Sequence, residues 1–198
     1  MCIICASPRN TRQPSEKTIR TMFARNPHGA GYMVARNGKV RISKGYMNID
    51  DFLTALESER FSAKDSVVYH FRISTQAGVN PAMTHPFPLT NRLEYTKALD
   101  LTCDCGIAHN GIIQLTSDPT NKEYSDTALF ITEYLSKLIS SPADLFDQNK
   151  LAFIYRLARS KFAIMDRTGY IATVGYFINE KGLLFSNDSF RLKPLYRA

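Results

Sequence analysis

The chain opens with a cysteine directly after the initiator methionine, at the start of a short apolar run, Met1-Cys2-Ile3-Ile4-Cys5. The run is typical of a buried strand, and a small second residue favours removal of Met1. Removal leaves Cys2 with a thiol and a free α-amine, whose unperturbed pKa is about 7.7–8.0. One residue would then carry both a nucleophile and its base. The alternative is a buried cysteine with only a structural role.

Length and composition predict one domain over residues 1–198, since 198 residues with 44% hydrophobic content can form one sizeable core. No apolar run reaches the roughly 18–20 residues of a membrane span, and we see no export signal. We therefore expect a soluble, cytoplasmic protein that does not contact a membrane.

The four cysteines form a C-x2-C pair and a C-x-C pair, which raises the alternative of a structural zinc site. Against that alternative, side chains one residue apart on an extended strand point to opposite faces. The four cysteines are Cys2, Cys5, Cys103 and Cys105. We predict no metal at these positions.

The net charge of +7 is unevenly distributed along the chain. Residues 1–50 carry 9 Lys+Arg against 2 Asp+Glu, and residues 151–198 carry 8 against 3, whereas residues 101–150 carry 3 against 7. If the two ends of the chain lie side by side, they form a basic face that attracts nucleic acid, a phosphorylated acceptor or an acidic protein. The alternative is an ordinary solvated surface.

The local patterns predict strands joined mostly by tight turns, with helices grouped between them. Helices are expected after the cap Ser15, over 50–59, from Ser125-Asp126 to about Leu138, and over 149–159. Strands are expected in a hairpin about Asn37-Gly38 and over 66–73, 105–109, 162–166, 170–175 and 183–186, with a turn at 179–182. The loop through Pro88 is interpreted as an ordered binding loop. This pattern favours an antiparallel α+β layered fold.

Five separated motifs occur in an order that resembles the class II glutamine amidotransferase domain of the N-terminal nucleophile (Ntn) hydrolase superfamily. They are Met1-Cys2, Asn26-Pro27-His28-Gly29-Ala30-Gly31-Tyr32, His70-Phe71-Arg72-Ile73-Ser74-Thr75, His109-Asn110-Gly111 and Ser125-Asp126-Thr127. Weaker matches are Thr84-His85-Pro86-Phe87 and Phe185-Ser186-Asn187-Asp188-Ser189. The chain resembles small stand-alone amidotransferase-like proteins, often found in bacteriophage genomes, rather than the large synthases that carry this domain as one part. The resemblance implies a four-layer αββα sandwich of two mainly antiparallel sheets.

The resemblance also implies a role for each matched residue. Cys2 would attack the side-chain amide of glutamine, while the Asn110 side chain and the Gly111 N–H would stabilise the oxyanion. Arg72 would bind the α-carboxylate of glutamine and Asp126 its α-ammonium. Thr75 and His85 would be secondary substrate contacts. Without the resemblance, Asn110-Gly111 is a hairpin turn, Arg72 a surface ion-pair partner and Asp126 an N-cap.

The implied reaction needs no cofactor, and a separate synthase is the expected acceptor of the ammonia. Departures from the family pattern at Gln76, His28 and Ala128 keep two alternatives open. One is hydrolysis of a different amide. The other is an altered Ntn scaffold that acts as a binding protein, with nucleic acid or a host protein bound on its basic face.

Overall fold

The computed structural model describes residues 1–74, 79–115 and 123–191. The strands in these ranges are β1 Ile3–Ser7, β2 Ala30–Arg36, β3 Lys39–Tyr46, β4 Val67–Phe71, β5 Phe87–Pro88, β6 Asp100–Cys103, β7 Cys105–Asn110, β8 Lys161–Asp166, β9 Ile171–Val174, β10 Ile178–Glu180 and β11 Leu183–Phe185. The helices are α1 Glu16–Arg25, α2 Ile49–Glu59, α3 Asp126–Phe130, α4 Ser136–Leu138 and α5 Gln148–Ala158, with a π-helical turn, Ile131–Leu135, joining α3 to α4.

The strands form two antiparallel sheets. The first has seven strands in the order β10-β11-β1-β4-β2-β3-β6, and the second has four in the order β5-β7-β8-β9. Each described strand pair is antiparallel. The predicted α+β class with antiparallel sheets is therefore confirmed.

Local sequence signals account for the first helix and the first hairpin. Ser15 begins α1 by accepting a hydrogen bond from the Thr18 N–H at 3.2 Å, as an N-cap does. The turn between β2 and β3 has positive φ at Asn37 (52°) and Gly38 (70°). Two positive φ values are the geometry of a primed hairpin turn, so this predicted hairpin is confirmed.

Three apolar clusters hold the layers together. One joins β1, β2, β3 and β4 to β7 and β8 and includes Ile4, Met33, Ala108 and Met165, so the two sheets pack face to face. A second, rich in aromatic rings, lies between the seven-stranded sheet and helices α1 and α2. A third lies between the four-stranded sheet and the helices from α3 to α5. Helices thus cover the outer face of each sheet, an arrangement compatible with an α+β sandwich.

Strand register brings the ends of three strands together at one end of the large sheet. Ile3 pairs with Phe71, and Phe71 also pairs with Ala30. Cys2 and Arg72 each lie one residue beyond these paired positions, so they meet at the same end of the sheet. The start of β1, the end of β4 and the start of β2 therefore lie side by side at this end of the sheet.

The expected helices and most expected strands are present, with three differences. The chain forms the unpredicted strand β10 through Glu180, so the turn predicted at 179–182 begins too early. The positive φ values that reverse the chain are at Lys181 and Gly182. The short strands β5 and β6 were not predicted. Across the described ranges, no helix has the length and apolar character needed to cross a membrane.

Candidate active site

Cys2 lies just before β1 and is held by backbone groups of the segment that follows β4. Its Sγ accepts a hydrogen bond from the Ile73 N–H at 3.4 Å and donates to the Ile73 carbonyl at 3.6 Å. The Cys2 carbonyl accepts from the Asn187 side-chain amide at 2.7 Å. Met1 is present and 78% exposed.

The Cys2 thiol is protonated at neutral pH in this setting. Burial raises its pKa, although the Ile73 N–H, the Arg72 guanidinium and the terminal ammonium oppose that effect. A protonated thiol is a weak nucleophile and needs a base close by. The second cysteine of the run, Cys5, is fully buried in the helix-facing apolar cluster, and burial raises its pKa further.

Arg72 is fixed by its backbone at the end of β4. Its N–H donates to the Gly29 carbonyl at 2.8 Å, and its carbonyl accepts from the His28 N–H at 2.9 Å. The residue is only 6% exposed, and burial lowers the pKa of its guanidinium, while attraction to Cys2 and Asp126 opposes the shift. The guanidinium stays charged. Arg72 is therefore a buried cation next to the residue that holds the thiol, and the alternative that it lies on the surface is wrong.

Asp126 lies in the first turn of α3 and ties this helix to the loop after β7. One carboxylate oxygen accepts from the Ile113 N–H at 2.7 Å, and the other accepts from the Thr127 N–H at 2.7 Å. The N-cap itself is Ser125, whose Oγ accepts from the Ala128 N–H at 3.1 Å. The alternative that Asp126 is the N-cap is therefore wrong.

Asn110 is the last residue of β7, which pairs with β5 and β8, and Gly111 follows it. They are not a hairpin turn, because the partner strand β8 begins about fifty residues later at Lys161. Asn110 is 4% exposed, and its Nδ2 donates to the Ser186 Oγ at 2.9 Å. Gly111 has φ of 153°, and a Cβ at this position would lie 2.4 Å from the Ser160 Oγ. Only glycine fits this close approach.

Three buried histidines, His70, His85 and His109, pack together, with the His85 ring between the other two. His70 Nε2 lies 3.0 Å from the His109 carbonyl and 3.1 Å from His85 Nδ1. A carbonyl only accepts hydrogen bonds, so the His70 proton is on Nε2, His85 accepts at Nδ1, and the His85 proton is on Nε2. His109 Nδ1 lies 2.7 Å from the Thr127 Oγ1, next to Asp126.

Burial keeps these histidines neutral. It lowers the pKa of His70 to about 3 and that of His109 to about 4, and it lowers the pKa of His85 well below its usual range. The described ring contacts of His85 are with His70, His109 and Phe87. In the described residues the His85 ring therefore packs against other buried rings, and its predicted contact with substrate stays a prediction.

The structure brings five predicted residues to one end of the two sheets: Cys2, Arg72, Asn110, Gly111 and Asp126. Thr75, predicted as a substrate contact, lies outside the described residues. The sequence interpretation missed the backbone of Ile73 and the side chains of Ser186 and Asn187. The sequence signal for the latter two was the weak match at 185–189, and Ile73 lies within the motif at 70–75, which gave no role to its backbone.

The four cysteines do not converge. Cys5 lies in the helix-facing cluster, whereas Cys103 donates to the carbonyls of Cys105 and Val40, at 3.1 and 3.7 Å. Within the described ranges, no group of three or more His, Cys, Asp or Glu side chains is arranged to hold a metal ion. The zinc alternative therefore has no set of ligands in this part of the chain.

The predicted basic face is partly neutralised. Four of the cationic residues in the first fifty are ion-paired with carboxylates: Arg20, Arg36, Lys39 and Arg41. Lys44 is buried and donates to the carbonyls of Ala82 and Thr96. A depression along α1, lined by Lys17, Arg20 and Arg25 among others, includes none of the predicted site residues. A binding role for this face stays a prediction.

Comparisons with known proteins add no assignment to this geometry. A scan against protein-family models and a search of curated proteins each found no match to the chain.

Proposed function

We propose that the chain is an amidohydrolase of the N-terminal nucleophile type that cleaves the side-chain amide of glutamine to glutamate and ammonia. The observation that carries the proposal is the position of the Cys2 thiol, which is hydrogen-bonded to the backbone of Ile73, the residue next to the buried cation Arg72. The fold that belongs to this proposal is the four-layer αββα sandwich of Ntn hydrolases.

A free amino acid presents a carboxylate and an ammonium group that need partners of opposite charge. Arg72 offers a planar guanidinium for the carboxylate, and Asp126 offers a carboxylate for the ammonium. A pair of this kind distinguishes free glutamine from a glutamine side chain within a protein. Since both partners are fixed by backbone contacts, the substrate amide would be held in one place relative to Cys2.

The first half of the reaction forms a thioester. After Met1 is removed, the α-amine of Cys2 takes the thiol proton, and the sulfur attacks the amide carbon. The tetrahedral intermediate carries an oxyanion, for which Asn110 and the Gly111 N–H are the proposed donors. The protonated amine then gives its proton to the departing nitrogen. The C–N bond breaks, ammonia leaves, and glutamyl remains bonded to the Cys2 sulfur.

The second half returns the enzyme to its starting state. A water molecule gives a proton to the α-amine and attacks the thioester carbon, forming a second oxyanion at the same donors. The C–S bond breaks, the proton returns to sulfur, and glutamate leaves. No cofactor takes part in this sequence, and a separate synthase is the proposed consumer of the ammonia.

The test is an assay of glutamate and ammonia from glutamine, with protein whose N-terminal residue is verified by mass spectrometry. Wild type is expected to release both products in equal amounts, and Cys2→Ala neither. Glutaminamide, which lacks the α-carboxylate, is expected to be a poor substrate. Equal rates for wild type and Cys2→Ala would contradict the proposal, and rapid hydrolysis of another amide alone would change the substrate assignment.

A further inference from the structure

Ser186 occupies an unusual position in the ladder between β11 and β1. Its N–H donates to the Ile4 carbonyl at 3.0 Å, and its Oγ accepts from the Ile4 N–H at 2.9 Å. In a regular antiparallel pair the backbone carbonyl would accept this second bond. Here the Ser186 carbonyl accepts from the Lys161 Nζ at 2.5 Å, and the hydroxyl takes its place in the ladder. The hydroxyl oxygen is thereby fixed by β1, the strand that directly follows the nucleophile.

The same hydroxyl contacts the proposed oxyanion donor. Asn110 Nδ2 lies 2.9 Å from the Ser186 Oγ, and both residues are buried. On the other side of the amide, Asn110 Oδ1 is buried with no hydrogen-bond partner among the described residues. A buried carbonyl oxygen without a partner is unfavourable.

A rotation of the Asn110 amide by 180° satisfies that acceptor. The two ends of a carboxamide have nearly the same shape, and a hydroxyl both donates and accepts. In the rotated state the Ser186 O–H donates to Asn110 Oδ1 while its oxygen still accepts from the Ile4 N–H. The Asn110 NH₂ group then takes the unpartnered position, where it can donate to an oxygen of a bound substrate.

We propose that Ser186 is a positioning residue that holds the Asn110 amide with its NH₂ group facing the oxyanion and in fixed register with Cys2. This inference rests on the proposed function. The link to Cys2 runs through β1, since Ser186 is bonded to Ile4, two residues after the nucleophile. The next residue, Asn187, holds the Cys2 carbonyl at 2.7 Å. The segment 186–187 thus connects the nucleophile to its oxyanion donor across the two sheets.

A positioning role predicts a loss in turnover with little change in substrate binding. Removal of an oxyanion donor typically lowers kcat by about 10²–10³-fold. Loss of a residue that only aligns the donor is expected to lower kcat by a smaller factor, about 10–100-fold. The KM for glutamine should change by less than about threefold, because Arg72 and Asp126 are the proposed partners of its charged groups.

The chain offers a matched control in Ser7. Ser7 is as fully buried as Ser186, lies in the same strand that Ser186 contacts, and its Oγ has no hydrogen-bond partner among the described residues. Ser7→Ala removes the same atoms from the same kind of environment without touching Asn110. A general effect of losing a buried hydroxyl would therefore appear equally in both variants.

The experiment measures kcat and KM for wild type, Ser186→Ala, Ser7→Ala, Asn110→Ala and the double variant Ser186→Ala/Asn110→Ala, and the rate of Cys2 alkylation by iodoacetamide. Alkylation forms no oxyanion, so it should proceed at the same rate in Ser186→Ala and wild type. The double variant should be no slower in turnover than Asn110→Ala alone, because Ser186 acts through Asn110. Ser186→Cys keeps the side-chain size with a weaker hydrogen-bonding group and serves if Ser186→Ala does not fold.

Two results would overturn the inference while leaving the proposed function intact. One is a kcat for Ser186→Ala equal to that of Ser7→Ala, in a wild type that outperforms Cys2→Ala. The other is a double variant whose losses multiply, together with slower alkylation of Cys2, which indicates a structural defect. Equal activity of wild type and Cys2→Ala is a separate outcome that overturns the proposed function and this inference with it.

Discussion

The two halves of strand β1 are both buried, yet their neighbours differ in kind. Just before its start, Cys2 contacts the backbone of Ile73 and the side-chain amide of Asn187. Within its first half, Ile4 is paired with His70 and bonded to Ser186. In its second half, Cys5 and Ala6 are each fully buried within apolar clusters. Hydrogen-bonded polar groups are therefore concentrated around the first half of this five-residue strand, and the polar side chain of its second half, Ser7, has no hydrogen-bond partner among the described residues.

This difference separates the residues that hold the fold together from those proposed to act on a substrate. Burying polar groups is unfavourable unless they are hydrogen-bonded, so a fold has no stability reason to gather them at one place. The chain does so at the end where β1, β4 and β7 meet. Paired residues of the same type, one in each environment, allow the comparison to be tested directly.

The largest expected difference is in the alkylation rates of Cys2, just before the strand, and Cys5, within it. Cys2 is half-buried at the strand end, and iodoacetamide should label it first. Cys5 is fully buried, so it reacts only when the strand opens. Opening the core requires a free energy on the order of 5 kcal/mol or more, so Cys5 should react at least ~10³ times more slowly. Peptide mapping by mass spectrometry gives both rates. Comparable rates would show that the two halves do not differ.

The buried histidines predict acid sensitivity at the polar half. Their pKa values of about 3 for His70 and about 4 for His109 lie below the unfolded value near 6.5, so below pH 6.5 the unfolded chain binds more protons. Stability from these groups is full above pH 6.5 and falls as pH drops toward 4, by up to about 1.4 kcal/mol per pH unit for each histidine. Urea unfolding at pH 7, 6 and 5 measures the slope. A free energy of unfolding that stays constant over this range would contradict the prediction.

A smaller effect is expected from the cation beside Cys2. Arg72→Lys keeps the charge but removes the planar, bidentate donor. Loss of a charged hydrogen bond to substrate corresponds to about 1.5–3 kcal/mol, so KM for glutamine should rise by roughly 10- to 100-fold with a lesser change in kcat. The control is Arg41→Lys, an ion-paired arginine outside the site. An equal change in KM for both variants would place the glutamine carboxylate elsewhere.

The smallest expected effect is on stability at the apolar half. Ser7 buries a hydroxyl with no partner among the described residues, so Ser7→Ala should leave the free energy of unfolding unchanged or raise it by about 0.5–1 kcal/mol. Ser186→Ala removes two hydrogen bonds and should lower it by roughly 1–2 kcal/mol. Urea titrations of both variants check the sign. A loss at Ser7 as large as at Ser186 would remove the contrast.

Most of the fold follows from local sequence signals. The Ser15 cap, the Asn37-Gly38 turn and the apolar spacing of Ile19, Met22 and Phe23 each predict the element that is present. The short strands β5, β6 and β10 escape prediction because two to four residues carry no usable periodicity, and their pairing depends on distant strands. The π-helical turn after α3 has no local signal either.

The candidate site is less predictable than the fold. Motif order indicated Cys2, Arg72, Asn110 and Asp126, and these residues are brought to one end of the sheets. The contacts of Ser186 and Asn187 were not predicted, because they join residues more than seventy positions apart in the sequence. Such contacts depend on how the two sheets pack, and a single sequence carries no record of that packing.

The central claim is that the thiol and the α-amine of Cys2 act together on an amide. It is tested most directly by comparing glutamate release from the mature chain, which begins at Cys2, with release from a variant in which a glutamate is inserted between Met1 and Cys2. The bulky insertion retains the methionine and leaves the thiol in place without a free amine. The account predicts glutamate release by the first protein and none by the second, with both N-termini verified by mass spectrometry. Equal rates of release would contradict it.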